Sequence, residues 1–422
     1  MPRRVAYNSN IMTVTLADIE AARERLKGIA LPTPIIADGR LSREIGADAH
    51  LKAECLQKSG SFKIRGAYNK ISQLSADEKK RGVVAASAGN HAQGVALAAT
   101  MLGIKSTIVL PEIAPLTKIN ATRGFGGEVV LHGATFDEAV AYSRELQESE
   151  GYTYVHAFDD ETVIAGQGTI GLEMVEALPD LSVVVVPIGG GGLISGIASA
   201  VKALKPNARI IGVQAENVNW VNASLTAGHP VHGATGGQTI ADGIAVKAPG
   251  EITFPIIQDL VDEVVEVSEE EIARAIFFCV QNNRLVVEGA GAAGLAALLA
   301  KKVQVTLGDT VCAVLCGGNI DANLLARVLE QVLVRQGRYI MLKLLVPDRP
   351  GMLAALLNTV AETRANVIEV FHRRAMWLAP LGRVGIEMLL EVRDNEHGRE
   401  VQKHLEDAGY HVEREGQGDW EE

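Results

Sequence analysis

Three features of the sequence predict a chain of two α/β parts. The first, over residues 1–335, reads as a largely parallel, doubly wound sheet, and the second, over 336–422, as a smaller βαββαβ sandwich. Short β-branched runs at 82–87, 106–110, 128–131 and 182–188 alternate with helix-length segments. Two of these runs empty into glycine-bearing turns, Ala88-Gly89-Asn90-His91 and Gly189-Gly190-Gly191-Gly192, and the later strand at 310–315 empties into Cys316-Gly317-Gly318-Asn319. Around 334–337 the pattern changes to a strand-helix-strand-strand-helix-strand order.

Taken in order, Thr15-Leu16-Ala17-Asp18 is a capped helix start, with apolar positions recurring through Ile29. Leu31-Pro32-Thr33-Pro34 ends it. Ser59-Gly60-Ser61-Phe62-Lys63-Ile64-Arg65-Gly66-Ala67 then sets a lysine ahead of a helical run from Ala67 to Leu74. Strand 82–87 leads to an Ala-rich helix ending near Leu102. Strand 106–110 with helix 117–123, and strand 128–131 with helix 135–148, repeat the unit. Gly166-Gln167-Gly168-Thr169 reads as a loop leading into a helix at 170–178. Strand 182–188 has the composition of a buried parallel strand, followed by helix 194–204 and strand 207–213. Residues 222–245 show little periodicity and read as a surface excursion. Ser268 caps a helix that includes 272–280, residues 289–299 form a buried helix, and 310–315 is the last strand of this part. The second part runs through strand 339–346, helix 352–363, strand 366–373 and a turn at Ala379-Pro380-Leu381-Gly382. Strand 384–392, helix 397–408 and a short strand near His411 complete it, and the polar tail from Gly416 to Glu422 is expected to fray.

A length of 422 residues allows more than one core, and the scarcity of aromatics suits tightly packed α/β layers. The net charge of -11 speaks against a general nucleic-acid binder. Cys55, Cys279, Cys312 and Cys316 show neither zinc-like pairing nor a disulfide framework, and no metal is expected. Neither a signal region after Met1 nor an apolar run of spanning length is present, so a reducing cytoplasm is the expected setting, with no membrane partner.

The chemistry-bearing stretches sit at strand exits. Lys63, among apolar and cationic neighbours, can be pushed toward the neutral amine that forms a Schiff base. Gly189-Gly190-Gly191-Gly192-Leu193 leaves a buried strand and opens a helix, which makes either a phosphate cradle or a tight turn. It lacks the lysine of a P-loop. Gly89-Asn90-His91 offers a second helix end and an amide; it also reads as an N-cap with a satisfied histidine. Cys316 reads as a buried thiol. These strand ends are expected along one edge of the sheet, where open α/β folds bind ligands. A lysine, a phosphate cradle, an amide and a neutral sulfur together point to pyridoxal phosphate.

Ser61-Phe62-Lys63-Ile64-Arg65-Gly66-Ala67, Ser87-Ala88-Gly89-Asn90-His91-Ala92-Gln93-Gly94, Ile164-Ala165-Gly166-Gln167-Gly168-Thr169, the Gly189 to Leu193 loop and Cys316-Gly317-Gly318-Asn319 occur in the order seen in serine/threonine dehydratases. The chain resembles that family, of the tryptophan-synthase-β-like pyridoxal-phosphate enzymes, over residues 16–333. The resemblance implies fold type II, with two open, twisted, mostly parallel sheets. It implies that Lys63 carries the cofactor as an imine beside Phe62, and that Asn90 bonds the ring hydroxyl. Gly189, Gly190, Gly191, Gly192 and Leu193 would hold the phosphate, and Cys316 would face the pyridine nitrogen. Backbone N–H groups around Ser87, Ala88, Gly89, Asn90 and His91 would clamp the substrate carboxylate. The implied reaction is elimination of water from L-threonine to 2-oxobutanoate and ammonia, with L-serine as a secondary substrate. Serine racemases of the group carry a second base, a serine, where this chain has Ala88, so racemisation is demoted. Phe158 is expected to help shape the substrate pocket. Glu216 reads as a solvated carboxylate or, less readily, a cation ligand.

Val346-Pro347-Asp348-Arg349-Pro350-Gly351-Met352-Leu353 and Ala365-Asn366-Val367-Ile368 make the second part resemble an ACT domain, the small amino-acid-sensing module. That implies Asp348, Arg349, Gly351 and Asn366 as effector positions, regulation in isoleucine synthesis, and a homo-oligomer, tetramer or dimer. The rival from another class is a non-catalytic amino-acid sensor, against which an imine-forming lysine counts.

Overall fold

The computed structural model describes residues 14–233, 238–373 and 380–415. The expected features at Met1, at Ala379 and in the tail from Gly416 to Glu422 lie outside the described residues, as does part of the 222–245 excursion. The chain divides into two compact units, Met1–Asp321 and Ala322–Glu422. The division falls ahead of helix Ala322–Arg335 rather than after it.

Two sheets carry the first unit, as the family resemblance implies and the periodicity alone does not. Six strands run in the order Ile35–Ala37, Asp48–Lys52, Thr310–Val314, Leu181–Pro187, Arg209–Ala215, Glu263–Val267. Four run in the order Glu128–Leu131, Ser106–Leu110, Val83–Ala86, Thr153–Tyr154. Neighbours are parallel apart from the first pair of the larger sheet. Alternating strands and helices look the same whether they build one sheet or two, so periodicity alone cannot separate them. Helix Lys63–Ser72 packs against both Asn90–Met101, which covers the smaller sheet, and Glu161–Ala177, which lies on Gly192–Leu204 beside the larger one. Lys63 therefore opens a helix shared by the two layers.

Gly166-Gln167-Gly168-Thr169 is not a loop; it lies inside helix Glu161–Ala177. A Cβ on Gly166 would sit 2.7 Å from the Arg65 carbonyl, and one on Gly168 would sit 2.8 Å from the Gly196 carbonyl. Backbone-to-backbone packing of three helices offsets the roughly 1 kcal/mol that each helical glycine costs. Thr15 caps Leu16–Leu26 in a reciprocal pair with Asp18, and Ser268 caps Glu269–Phe278 with Glu271. Helix Trp220–Ala227 runs into the expected excursion, covering its first residues. Helix Thr253–Leu260 and the strands at 35–37, 48–52 and 263–267 have no counterpart in the sequence reading, the strands being short or of mixed polarity.

The second unit has an antiparallel sheet in the order Asn366–Arg373, Arg383–Glu391, Tyr339–Pro347, His411–Glu415. Helices Met352–Glu362 and Asn395–Asp407 complete a βαββαβ chain order. Burial alternates along Tyr339–Pro347, so one face of the central strand supplies the core. Among the described residues, no helix is long and apolar enough to cross a membrane.

Candidate active site

Lys63 is the first residue of its helix, earlier than the Ala67 start that the pattern suggests. Its Nζ donates to the Ala157 carbonyl at 2.8 Å and lies 5.1 Å from the centroid of the Phe62 ring. Burial pulls its pKa down to about 8, against the opposing effect of Cys316 and Glu288. About a tenth of the amine is thus neutral at pH 7. Cationic neighbours are not the cause. Arg65 turns into a buried cluster, donating to Glu54 at 2.9 Å, Glu173 at 2.6 Å and Thr169 at 3.1 Å. Lys52 bonds Glu173 in the same cluster. Two carboxylates answer two cations there.

The glycine loop is walled closely. A Cβ on Gly192 would lie 2.8 Å from the Phe158 carbonyl, one on Gly189 would lie 3.1 Å from the Ile244 Cα, and one on Gly190 would run into the Phe158 ring. Gly191, at φ 97, is the N-cap of helix Gly192–Leu204, which has no side-chain cap. The first-turn N–H groups from Gly192 and Leu193 onward are therefore available to an anion. Thr253 Oγ1 donates to the Gly190 carbonyl at 2.6 Å and fixes the loop from behind.

Helix Asn90–Met101 likewise starts at Gly89 without a side-chain cap. The Ser87 hydroxyl accepts the Gly89 N–H at 3.1 Å. His91 turns inward, its Nε2 2.8 Å from the Val155 carbonyl, and burial pushes its pKa down to about 3. The imidazole is neutral and occupied, so what this segment offers a ligand is backbone N–H.

Cys316 is buried, and that burial, reinforced by Glu288, raises its thiol well above the usual range. Beside it stands a residue absent from the sequence reading. Glu288, 4% exposed, precedes helix Gly289–Leu299 and accepts from Asn90 Nδ2 at 2.6 Å. Burial, with the Asp242 carboxylate, lifts its pKa to about 7. Asn319 Nδ2 meets Asn90 Oδ1 at 2.8 Å. Asn90 leaves the smaller sheet, whereas Cys316 and Gly189 leave the larger one. The strand ends thus come from two sheets rather than lining one edge.

Phe158 follows Ala157, the residue that bonds Lys63, and stands edge-on to His156 with ring centroids 4.7 Å apart. Glu216 is exposed and pairs with Lys302 at 3.2 Å. In the second unit, Asp348, Arg349 and Gly351 share the turn after Tyr339–Pro347, with Gly351 at φ 88. Asn366 is not brought to them. Pro347 lies opposite Arg383 in the register and Asn366 opposite Glu391, at the far end of the sheet.

The donors fit pyridoxal phosphate. A helix end walled by glycines suits the phosphate, the Asn90 amide suits a ring hydroxyl, a neutral thiol suits the ring nitrogen, and a partly neutral amine suits the aldehyde. The family described as pyridoxal-phosphate dependent enzyme matches residues 26–317. An L-threonine ammonia-lyase of Thermotoga maritima is 51% identical over 94% of this chain and 99% of its own length. Among solved structures, the processed form of threonine deaminase isoform 2 from Solanum lycopersicum superposes with a TM-score of 0.72 at 39% identity, covering 79% of this chain and 94% of that one. Maize serine racemase reaches 0.72 at 34% identity, covering 76% and 98%.

Proposed function

The chain belongs to the pyridoxal-phosphate-dependent enzymes, and from that premise we propose that it is a threonine ammonia-lyase converting L-threonine to 2-oxobutanoate and ammonia. The observation that carries the reading is Lys63, an amine with its pKa drawn to about 8 that bonds the Ala157 carbonyl, next to the Phe158 that walls Gly190 and Gly192, and that feels the neutral Cys316 thiol. When bound, pyridoxal phosphate supplies an aldehyde for the substrate amine and a conjugated ring that takes up the Cα–H electrons. The residues of this chain do the rest. N–H groups from Gly189 to Leu193 would bind the phosphate, and Asn90 would donate to the ring hydroxyl. Cys316 would face the ring nitrogen as a neutral thiol, which would not press a proton onto it. Backbone N–H groups from Ala88 to His91 hold the substrate carboxylate. Lys63 Nζ, once free, takes the α proton and is placed to do so by its bond to Ala157.

Elimination is favoured over racemisation because Ala88 carries no base and the Ser87 hydroxyl is engaged by Gly89. Threonine and serine differ by one methyl group, worth about 1–3 kcal/mol in a pocket. Phe158, packed on Gly190 and Gly192, is the side chain we assign to that discrimination. Phe158→Ala is expected to change the threonine-to-serine ratio of kcat/KM by about tenfold. A ratio that stays within twofold under steady-state assay would remove Phe158 from the pocket.

The second unit is assigned as an ACT-like regulatory module of a cytoplasmic homo-oligomer, tetramer or dimer, on its βαββαβ order. Its effector is an amino acid, isoleucine being the first to test. Because Asn366 and the Asp348–Gly351 turn sit at opposite ends of the sheet, one effector touching both would have to bridge two chains. The assay is 2-oxo acid formation from L-threonine and L-serine, with and without isoleucine. Threonine turnover that falls with isoleucine supports the whole reading; turnover indifferent to it keeps the chemistry and removes isoleucine as effector. A protein that binds no cofactor would be the non-catalytic sensor instead.

A further inference from the structure

We propose that Glu288 and Asn319 form a two-sided clamp on the carboxamide of Asn90, Glu288 being the positioning residue that decides which end of that amide meets the cofactor. The proposal rests on the assignment of Asn90 to the ring hydroxyl.

The hydrogen bonds allow one orientation of the amides. Asn319 Nδ2 lies 2.8 Å from the Ser59 carbonyl, which can only accept, so the nitrogen end of Asn319 is fixed. The same nitrogen lies 2.8 Å from Asn90 Oδ1 and 3.2 Å from Gln93 Oε1. Asn90 must then present its oxygen to Asn319 and its nitrogen to Glu288. The 2.6 Å separation from Glu288 Oε1 is that of a charge-assisted bond. One N–H of Asn90 Nδ2 is spent on Glu288, and the other remains to donate.

The surroundings of the clamp are shaped for it. Glu288 N–H donates to the Gly317 carbonyl at 3.0 Å, and Gly318 N–H to the Gly60 carbonyl at 2.8 Å. A Cβ on Gly317 would lie 3.0 Å from Asn90 Nδ2 and would collide with the Glu288 carboxylate, so glycine makes room for the pair. The chain reaches Glu288 through a π-helical turn, Cys279–Asn283, that ends at Arg284 with φ 61. A non-glycine residue in the left-handed region after a π turn is an expensive exit from a helix, and such features gather at functional sites. The charged or titratable groups facing Glu288 are Asp242 and Lys118, themselves paired at 2.6 Å, with Lys63, Cys316 and Cys55.

The test compares holoenzymes of wild type, Glu288→Ala, Glu288→Gln and Asn319→Asp. Cofactor release into cofactor-free buffer and the visible spectrum are read, and thermal melting shows that each variant is folded. Alanine leaves Asn90 Nδ2 without its acceptor, so E288A should release cofactor at least about tenfold faster and with a shifted visible band. Glutamine keeps one oxygen for Nδ2, so E288Q should return to within about threefold of wild type. Asn319→Asp removes the side-chain donor from the other side, leaves in place the backbone N–H that Asn319 gives to Glu288, and should also speed release about tenfold. E288A or N319D releasing cofactor at the wild-type rate, even with lowered melting, overturns the clamp, as does E288Q performing no better than E288A. A wild-type protein that stays colourless with cofactor overturns the clamp together with the reading beneath it.

Discussion

Lys63→Ala is expected to abolish the visible absorbance of bound cofactor and to lower threonine turnover by at least about a thousandfold, since it removes both the attachment point and the base. The same substitution should not harm the fold. Lys63 is half-buried, and the lost hydration disfavours its ammonium, as the lowered pKa records. Between about 8 and 10.5 the unfolded lysine is protonated while the folded one is not, so the stability of the apoenzyme rises with pH across that window. Lys63→Ala should lack this rise and should be no less stable than wild type at pH 7. Turnover within tenfold of wild type would contradict the assignment. A variant that is inactive because it melts at the assay temperature would contradict the stability argument. Assay, absorbance and pH-dependent denaturation of one variant thus separate the chemical role from the structural one.

Arg65→Met is expected to destabilise the apoenzyme by about 3–5 kcal/mol, the loss seen when one partner of a buried ion pair is removed. Glu54 has no exposed surface, and Arg65 bonds both of its oxygens, at 2.9 and 2.8 Å. Burial alone would raise the Glu54 pKa; the Arg65 guanidinium, with help from Lys52 and Thr33, outweighs it and holds the carboxylate below its usual range. Without Arg65, Glu54 keeps, among the described residues, Thr33 and a Lys52 nitrogen 3.9 Å away. The exposed pair Arg209–Glu263, at 3.4 Å, is the control, and Arg209→Met should cost less than about 1 kcal/mol. Denaturant midpoints of the two variants that fall close together would refute the view of Arg65 as the centre of a buried ionic network.

Much of this fold is legible from local pattern. The Thr15 and Ser268 caps, the valine-rich strand at 181–187 and the βαββαβ order of the second unit all depend on residues close in sequence. The misreadings share a different cause. Gly166 and Gly168 look like loop residues until the helices they touch, around Gly66 and Gly196, are brought against them. Arg65 looks like a cationic neighbour of Lys63 until Glu54 and Glu173 are seen to absorb its charge. Glu288 reads as an ordinary acidic start to an Ala-rich helix, and nothing in its spacing points to Asn90, 198 residues away. The glycine motifs and Lys63 could be found because their chemistry is local. The residues that orient and neutralise them could not, because they are neighbours only in the folded chain.

Threonine ammonia-lyase activity is measured by incubating holoenzyme with L-threonine and assaying 2-oxobutanoate and ammonia together. Equal amounts of the two products are expected, with L-serine giving pyruvate and ammonia and no accumulation of D-serine. Cofactor bound through Lys63 with no 2-oxo acid from either substrate, or D-serine as the main product, would contradict that activity.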